Sequence, residues 1–535
     1  MFGFSPIASA PFADAGVTSV DYSITADAGS FALTGQTVGL NVGNRLAADA
    51  GSFTLTGQTV DLLKALNITA DNGSFTLSGQ DVNFVKALLV SASGSFSLTG
   101  QTVDLLKALN ITADSGSFTL TGQDITFVKD LLVSASGSFS LTGQTVDLLK
   151  AVNIAADNGS FTLSGQDIDL VKVVKMSADS GSFSLSGQVV NLNLGRSLPL
   201  DAGSFTTTGQ DVTFNKALNL SATSGTFTLS LQGAAKLITE VTPNGSFALT
   251  GQDVNLVKGK SISLNNGGFT LSGQDVTLNK ALNVSLDAGT FALTGQDATL
   301  KKAVNLSVDA GTFTLTGNDV SFSSADSLDA EAGSFSLTGQ DITLAKAINL
   351  SVDAGSFAST GQDVTLKKAV NVSADAGSFT LTSNEIDFGL GESFDAGSFT
   401  LTGQAANLNK AVSLTADAGN FTLSGQDVDL VKALNVTADA GSFALSGQEI
   451  DVDIGESFDA GSFTLTGQAV TFAKAVKLSV DAGTFTLTGS TVTFIADVPR
   501  SRFEDQNYVK VFTVANENNV VTLNPSSNSV TLEAA

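Results

Sequence analysis

The chain has 535 residues and a formal charge of −25, from 51 acidic and 26 basic side chains, yet only 14% of its residues are charged, against roughly 25% in ordinary soluble domains. Histidine, cysteine and tryptophan are absent, which removes disulfides, thiolate nucleophiles, the usual zinc ligands and any imidazole base. The acidic balance excludes a nucleic-acid partner, because phosphate binding needs clustered Lys and Arg, and no stretch reaches the about 18 uninterrupted apolar residues that would predict membrane insertion.

Residues 1–24 set Phe2, Phe4, Ile7 and Phe12 among small residues and the prolines Pro6 and Pro11. This is too little to build a core, so the segment reads as a cap or a docking element. The first charge is Asp14 and the first basic residue Arg45. Without a positive n-region, no cleaved export signal is expected.

Residues 25–495 are one repeat, G-S-F-T-L-T-G-Q-D-V-T-L-N-K-A-L-N-V-S-A-D-A, in 22 copies whose leading glycine recurs from Gly29, Gly51, Gly73 and Gly94 to Gly461 and Gly483. Two places after that glycine stands Phe in every copy, from Phe31 to Phe485. In one copy Phe269 and Leu271 alternate with Thr270 and Ser272, the period of a strand with one buried face. Gly273-Gln274-Asp275 shifts the phase, and Val276 and Leu278 resume it. Asn279-Lys280-Ala281 would turn a lysine inward unless the chain bends there, and Asp287-Ala288-Gly289 bends it again, with glycine expected to supply a positive φ. Each copy therefore predicts three short strands and three corners.

Length variation is expected at corners. The 20-residue copies shorten the Lys-bearing corner to Gly389-Leu390-Gly391-Glu392 or Gly455-Glu456, and the 21-residue copies are read as shortening the Asp-Ala-Gly corner to Ala92-Ser93-Gly94 or Ala135-Ser136-Gly137. The fold class predicted is all-β: a right- or left-handed β-solenoid of about 22 coils, each copy one coil stacked on the last to make a rod. The alternative is a long antiparallel meander or sandwich with hairpins at the glycines. Unequal arms weigh against the meander, since residues 52–56 make one arm and residues 60–70 the other. Residues 496–535 leave the repeat, and the Val-rich runs 508–515, 520–523 and 530–532 read as a β-hairpin module.

Repeated side chains supply the candidate sites. The lysines Lys64, Lys107, Lys150, Lys216, Lys280, Lys346, Lys410 and Lys474, with Asp81, Asp124, Asp167, Asp253 and Asp341, form either a glycan-binding stripe or, the preferred reading, a solvated corner that keeps sheets from sticking. The Asp-Ala-Gly corners, as at Asp353 and Asp481, stack acids that could attract calcium, but the Gly-Gly-x-Gly-x-Asp calcium repeat does not occur. Paired Thr54 and Thr56, Thr119 and Thr121, or Thr464 and Thr466 are similar to ice-binding arrays, yet most copies break the pair with Ala or Ser, which leaves β-propensity as the explanation. Glutamates for glycosidase work are few within the repeat: Glu240, Glu331, Glu385, Glu392, Glu449 and Glu456. No catalytic, cofactor-binding or metal residue is assigned and no cofactor is expected.

The repeat core at 376–382 and 396–404 resembles repeats in structural proteins of tailed bacteriophages, over roughly residues 25–495. The opening around Phe2-Gly3-Phe4 and the closing Val-rich strands are similar to that class as well. The resemblance implies a non-enzymatic virion component, a tail fibre, appendage or decoration protein, and the absence of an export signal and of cysteine fits assembly in the host cytoplasm. Its partners would be other virion structural proteins, further copies of itself or a host surface glycan. A bacterial surface adhesin or matrix fibre and a carbohydrate-active tail spike are the contrasting expectations.

Overall fold

The computed structural model describes residues 23–452, 462–473, 484–497, 509–523 and 530–534, apart from short stretches that fall mostly at the Lys-bearing corner. They divide into two compact units, Met1–Val174 and Lys175–Ala535. Each unit is a parallel β-solenoid. In the first, the strands carrying the recurrent Phe pair in register from Ser30–Thr34 through Ser52–Thr56 and Ser74–Ser78 to Ser160–Ser164. In the second they run from Ser182–Ser186 to Thr484–Asp497. The second and third strands of each copy form their own ladders, as in Thr59–Leu62 on Asp81–Val85 and Ala65–Ala70 on Leu88–Ser91. Equivalent residues of successive copies are therefore direct neighbours, and the meander is ruled out.

The alternation in sequence becomes alternation in burial. Phe53, Leu55, Val60 and Leu62 are fully buried while Ser52, Thr54 and Asp61 point outward. Stacked copies bury each other's cores: Leu33, in the first described coil, is 39% exposed where its partner Leu55 is at 0%. Rings follow the coil spacing, with Phe53 and Phe75 stacked at 4.8 Å and 3° and Phe421 and Phe443 at 4.5 Å and 2°. The corners are laddered too: Gln58 N–H donates to Gln36 C=O at 2.8 Å and Ser52 N–H to Gly29 C=O at 3.0 Å.

Two readings of the corners need correction. The leading glycines Gly51, Gly73, Gly94 and Gly116 do not enter the left-handed region. Among the described non-glycine residues Lys150 (φ 66°) and Lys172 (φ 58°) are left-handed. Glycine leads each copy for steric reasons instead. A Cβ on Gly73 would stand 2.1 Å from the carbonyl oxygen of Gly51 and 2.9 Å from that of Ala48. The glycine after the first strand is under less pressure, 2.8 Å at Gly79, and Ser383 replaces its equivalent, donating its hydroxyl to the Glu385 carbonyl.

The second correction concerns the 21-residue copies. Leu88 pairs with Asn67 and Ser91 with Ala70, while Phe84 pairs with Leu62. The Asp-Ala-Gly corner thus keeps its length, and the missing residue lies between Phe84 and Leu88, at the Lys-bearing corner. The copy beginning at Gly116 behaves alike, with Phe127 opposite Leu105 and Leu132 opposite Ile111. The corner at Gly455-Glu456 lies outside the described residues, as do Ala135 and the segment 1–22.

The stack closes in a different way. Thr484–Asp497 runs straight through first strand, corner and second strand, parallel to Ser462–Ala473 on one edge. On its other edge Val509–Leu523 is antiparallel, a single strand whose pairing shifts between Gly489 and Thr491, and Val530–Ala534 pairs antiparallel with its end. This reversal of polarity ends the parallel ladder.

Two positions of the leucine column that follows the recurrent Phe are polar. Thr207 stands between Leu185 and Leu229, and Ser359 between Leu337 and Leu381; both are fully buried and their hydroxyls have no hydrogen-bond partner. In both places the phenylalanine of the preceding coil leaves the stack: Phe183 lies 43° from Phe205, and Phe335 lies 42° from Phe357. The shorter side chain vacates room into which the ring tilts.

Two measurements follow from this packing. Gly73→Ala should cost about 3 kcal/mol or more, the upper end of overpacking, and Gly79→Ala clearly less, read from chemical denaturation of both variants. Thr207→Val keeps the shape and removes an unpartnered hydroxyl, so it should raise stability by about 1–3 kcal/mol in the same assay.

Candidate functional surface

With the core filled by Phe, Leu, Val and Ile, the chemistry of the chain lies on its outward faces. The face of the first sheet carries hydroxyls. In the second unit its outward positions, such as Thr312, Thr314 and Thr316 or Ser398, Thr400 and Thr402, hold only Ser, Thr and Ala, with Gly268 and Asn420 as exceptions. The expected outward Thr pairs are on this face, with Thr54 half-buried and Thr56 exposed.

Two carboxylate ladders border that face. At the start of the second strand Asp253, Asp275, Asp297, Asp319, Asp341, Asp363 and Glu385 pair residue on residue through successive coils, and all are exposed. At the Asp-Ala-Gly corner Asp287, Asp309, Glu331, Asp353 and Asp375 stack alike, tied by bonds such as Ala310 N–H to Asp287 C=O at 2.6 Å. In the first unit the ladder is diluted: Asp81, Asp124 and Asp167 alternate with Thr102 and Thr145.

Sequence reasoning missed a third column, the outward residue at the middle of the second strand. In the first unit it reads Asp61, Asn83, Asp104, Thr126, Asp147 and Asp169. Asn83 Nδ2 donates to Asp61 Oδ1 at 2.9 Å. Burial raises the pKa of Asp104, offset in part by a hydrogen bond from Thr126 and reinforced by Asp124 and Asp81. Burial likewise raises Asp147, with Asp169, Asp124 and Asp167 adding repulsion, and one Asp147 oxygen has no partner. In the second unit Asp429, at the same place in its second strand, is raised by burial and by Asp451, Asp427 and Glu449; Asp329, on the third strand Ser327–Ala330 and so outside this column, is raised by burial and Asp353, against a hydrogen bond from Ser327. The signal was present in the D-V-D and V-D-L triplets, where an aspartate takes an outward slot that other copies fill with Thr or Asn.

Of the expected lysine stripe only Lys150 falls within the described residues, where it is exposed. Lys64, Lys107, Lys216, Lys280, Lys346, Lys410 and Lys474 lie outside them, as do Asp481 and Glu456. Glu331, Glu385 and Glu449 are exposed members of the ladders; Glu240 and Glu392 sit in the strands Thr239–Thr242 and Glu392–Phe394. Among the described residues no group of three or more acidic side chains is arranged to hold a metal ion, and no described helix is long and apolar enough to cross a membrane.

The class of protein this defines is a parallel three-sheet β-solenoid with patterned faces. No family model matches the chain, and no curated protein or solved structure does either.

The raised aspartates set a pH dependence. A carboxyl whose folded pKa exceeds its unfolded value binds its proton more tightly in the native state, so stability falls as pH rises from about the unfolded value through the folded one. Asp147→Asn should remove one such contribution. Its melting temperature should exceed that of the parent at pH 7 and approach it below pH about 4, as followed by circular dichroism.

Proposed function

We propose that the chain is a non-enzymatic structural protein of a bacteriophage particle, a tail fibre, appendage or decoration protein serving host attachment or particle architecture. The observation that carries this reading is the in-register stacking itself. Coil after coil presents the same groups at the same places, which suits a component whose work is spacing and repeated weak contact. A catalytic centre calls instead for unlike groups converging on one point. The resemblance of the G-S-F-T-L-T-G-Q repeat to phage structural proteins directs the proposal to a virion, with other virion proteins as partners, a host surface glycan as the attachment target, and assembly in the host cytoplasm. A cell-surface adhesin or matrix fibre uses the same repetition, and a carbohydrate-active spike would add hydrolysis.

Mass spectrometry of purified particles, with electron microscopy of particles labelled against the repeat, should find the chain on the virion. Its recovery only from bacterial envelopes would remove the phage reading. Release of reducing sugar from host polysaccharide by the purified protein would replace it with the spike.

A further inference from the structure

We infer that the outward face of the first sheet in the unit Lys175–Ala535 is the surface on which a second copy of this chain docks. This goes beyond the virion reading and does not depend on it. Three observations carry the argument: the size of the face, its side chains and the placing of the charge.

First strands of this unit run from Ser182–Ser186 to Thr484–Asp497, fifteen in succession. At about 4.8 Å per strand and about 3.3 Å per residue the face covers on the order of 1,200 Å², above the about 800 Å² per partner of a standard interface. Its side chains are the short ones that let two sheets approach closely. Alternation with the buried Phe and Leu holds them in rows, as in the half-buried Thr314 between the buried Phe313 and Leu315. A two-fold axis sets the same rows against each other, so the face is its own complement.

Charge decides between occupants. No first strand of the unit contains Asp, Glu, Lys or Arg over its five outward-and-inward positions, whereas both borders carry the carboxylate ladders described above. Anionic polymers are repelled by those borders. Sugar chains are commonly gripped by the faces of aromatic rings, and the phenylalanines of these strands from Phe183 to Phe443 are buried. A second copy meets neutral hydroxyls at the centre and like charge only at the rims. Rim repulsion is screened by salt, the Debye length falling from about 30 Å at 10 mM to about 3 Å at 1 M. Docking should therefore strengthen as salt is added, the reverse of an interface held by opposite charges.

The test is sedimentation of the full chain between about 10 mM and about 1 M NaCl, beside two triple variants checked for parental circular dichroism. One carries Thr294→Glu, Thr338→Glu and Thr382→Glu, exposed on the first-sheet face. The other places equal charge on the second sheet, with Thr299→Glu, Thr343→Glu and Thr365→Glu. The parent and the second-sheet variant should pass from monomer to dimer as salt rises, and the first-sheet variant should stay monomeric. A parent monomeric at every salt concentration would overturn the inference. So would equal loss of dimer in both variants, or a monomeric parent retained on neutral dextran and released by the first-sheet substitutions.

Discussion

The distance between neighbouring coils is fixed by backbone hydrogen bonds, and the other features of the structure accommodate it. Parallel strands lie about 4.8 Å apart, and where its rings lie flat the phenylalanine column stacks at that interval, 4.7 Å between Phe31 and Phe53 and 5.0 Å between Phe399 and Phe421. The same interval brings the carbonyl of one leading glycine to where the next would have its Cβ, so a side chain is excluded there. It also lines up carboxylates at a spacing their mutual repulsion would not select. Core, corner and surface are thus three answers to one imposed repeat.

Much of this was legible in the sequence. Alternation of Phe and Leu with Ser and Thr gave the inside and outside of each strand, and unequal arms between glycines favoured coils over hairpins. The glycines were legible as corners but not in their cause: sequence shows that Gly73 permits any φ, whereas only the stacking of the coils sets the Gly51 carbonyl against it. The 21-residue copies were misplaced for a related reason. Ala92-Ser93-Gly94 differs in letters from Asp71-Asn72-Gly73 and looks like the altered corner, yet Ser91 takes the buried place of Ala70, its hydroxyl donating to the Gly94 carbonyl at 2.7 Å. The residue that vanished lies instead between Phe84 and Leu88.

The surface was legible as composition but not as geometry. Asp253 and Asp341 could be singled out by their recurrence, while their membership of one unbroken column with Asp275, Asp297, Asp319, Asp363 and Glu385 depends on register. Thr207 and Ser359 were similarly silent. In sequence each is one more hydroxyl among many; inside the stack each replaces a leucine and alters the packing of a ring in the coil before it.

Near-identical copies create an ambiguity for a folding chain, because a strand that skips one copy still finds Phe opposite Phe and Leu opposite Leu. Irregular copies break the tie. The copy after Gly225 changes the length of its corners, so that Ala234–Leu237 fits Asp253–Val257 in a register the regular copies do not share. Thr207 and Ser359 mark their copies as well, since the ring of the coil before each is tilted out of the column. These departures serve as place markers along a monotonous text, and a chain rebuilt entirely from the consensus copy would lose its means of counting.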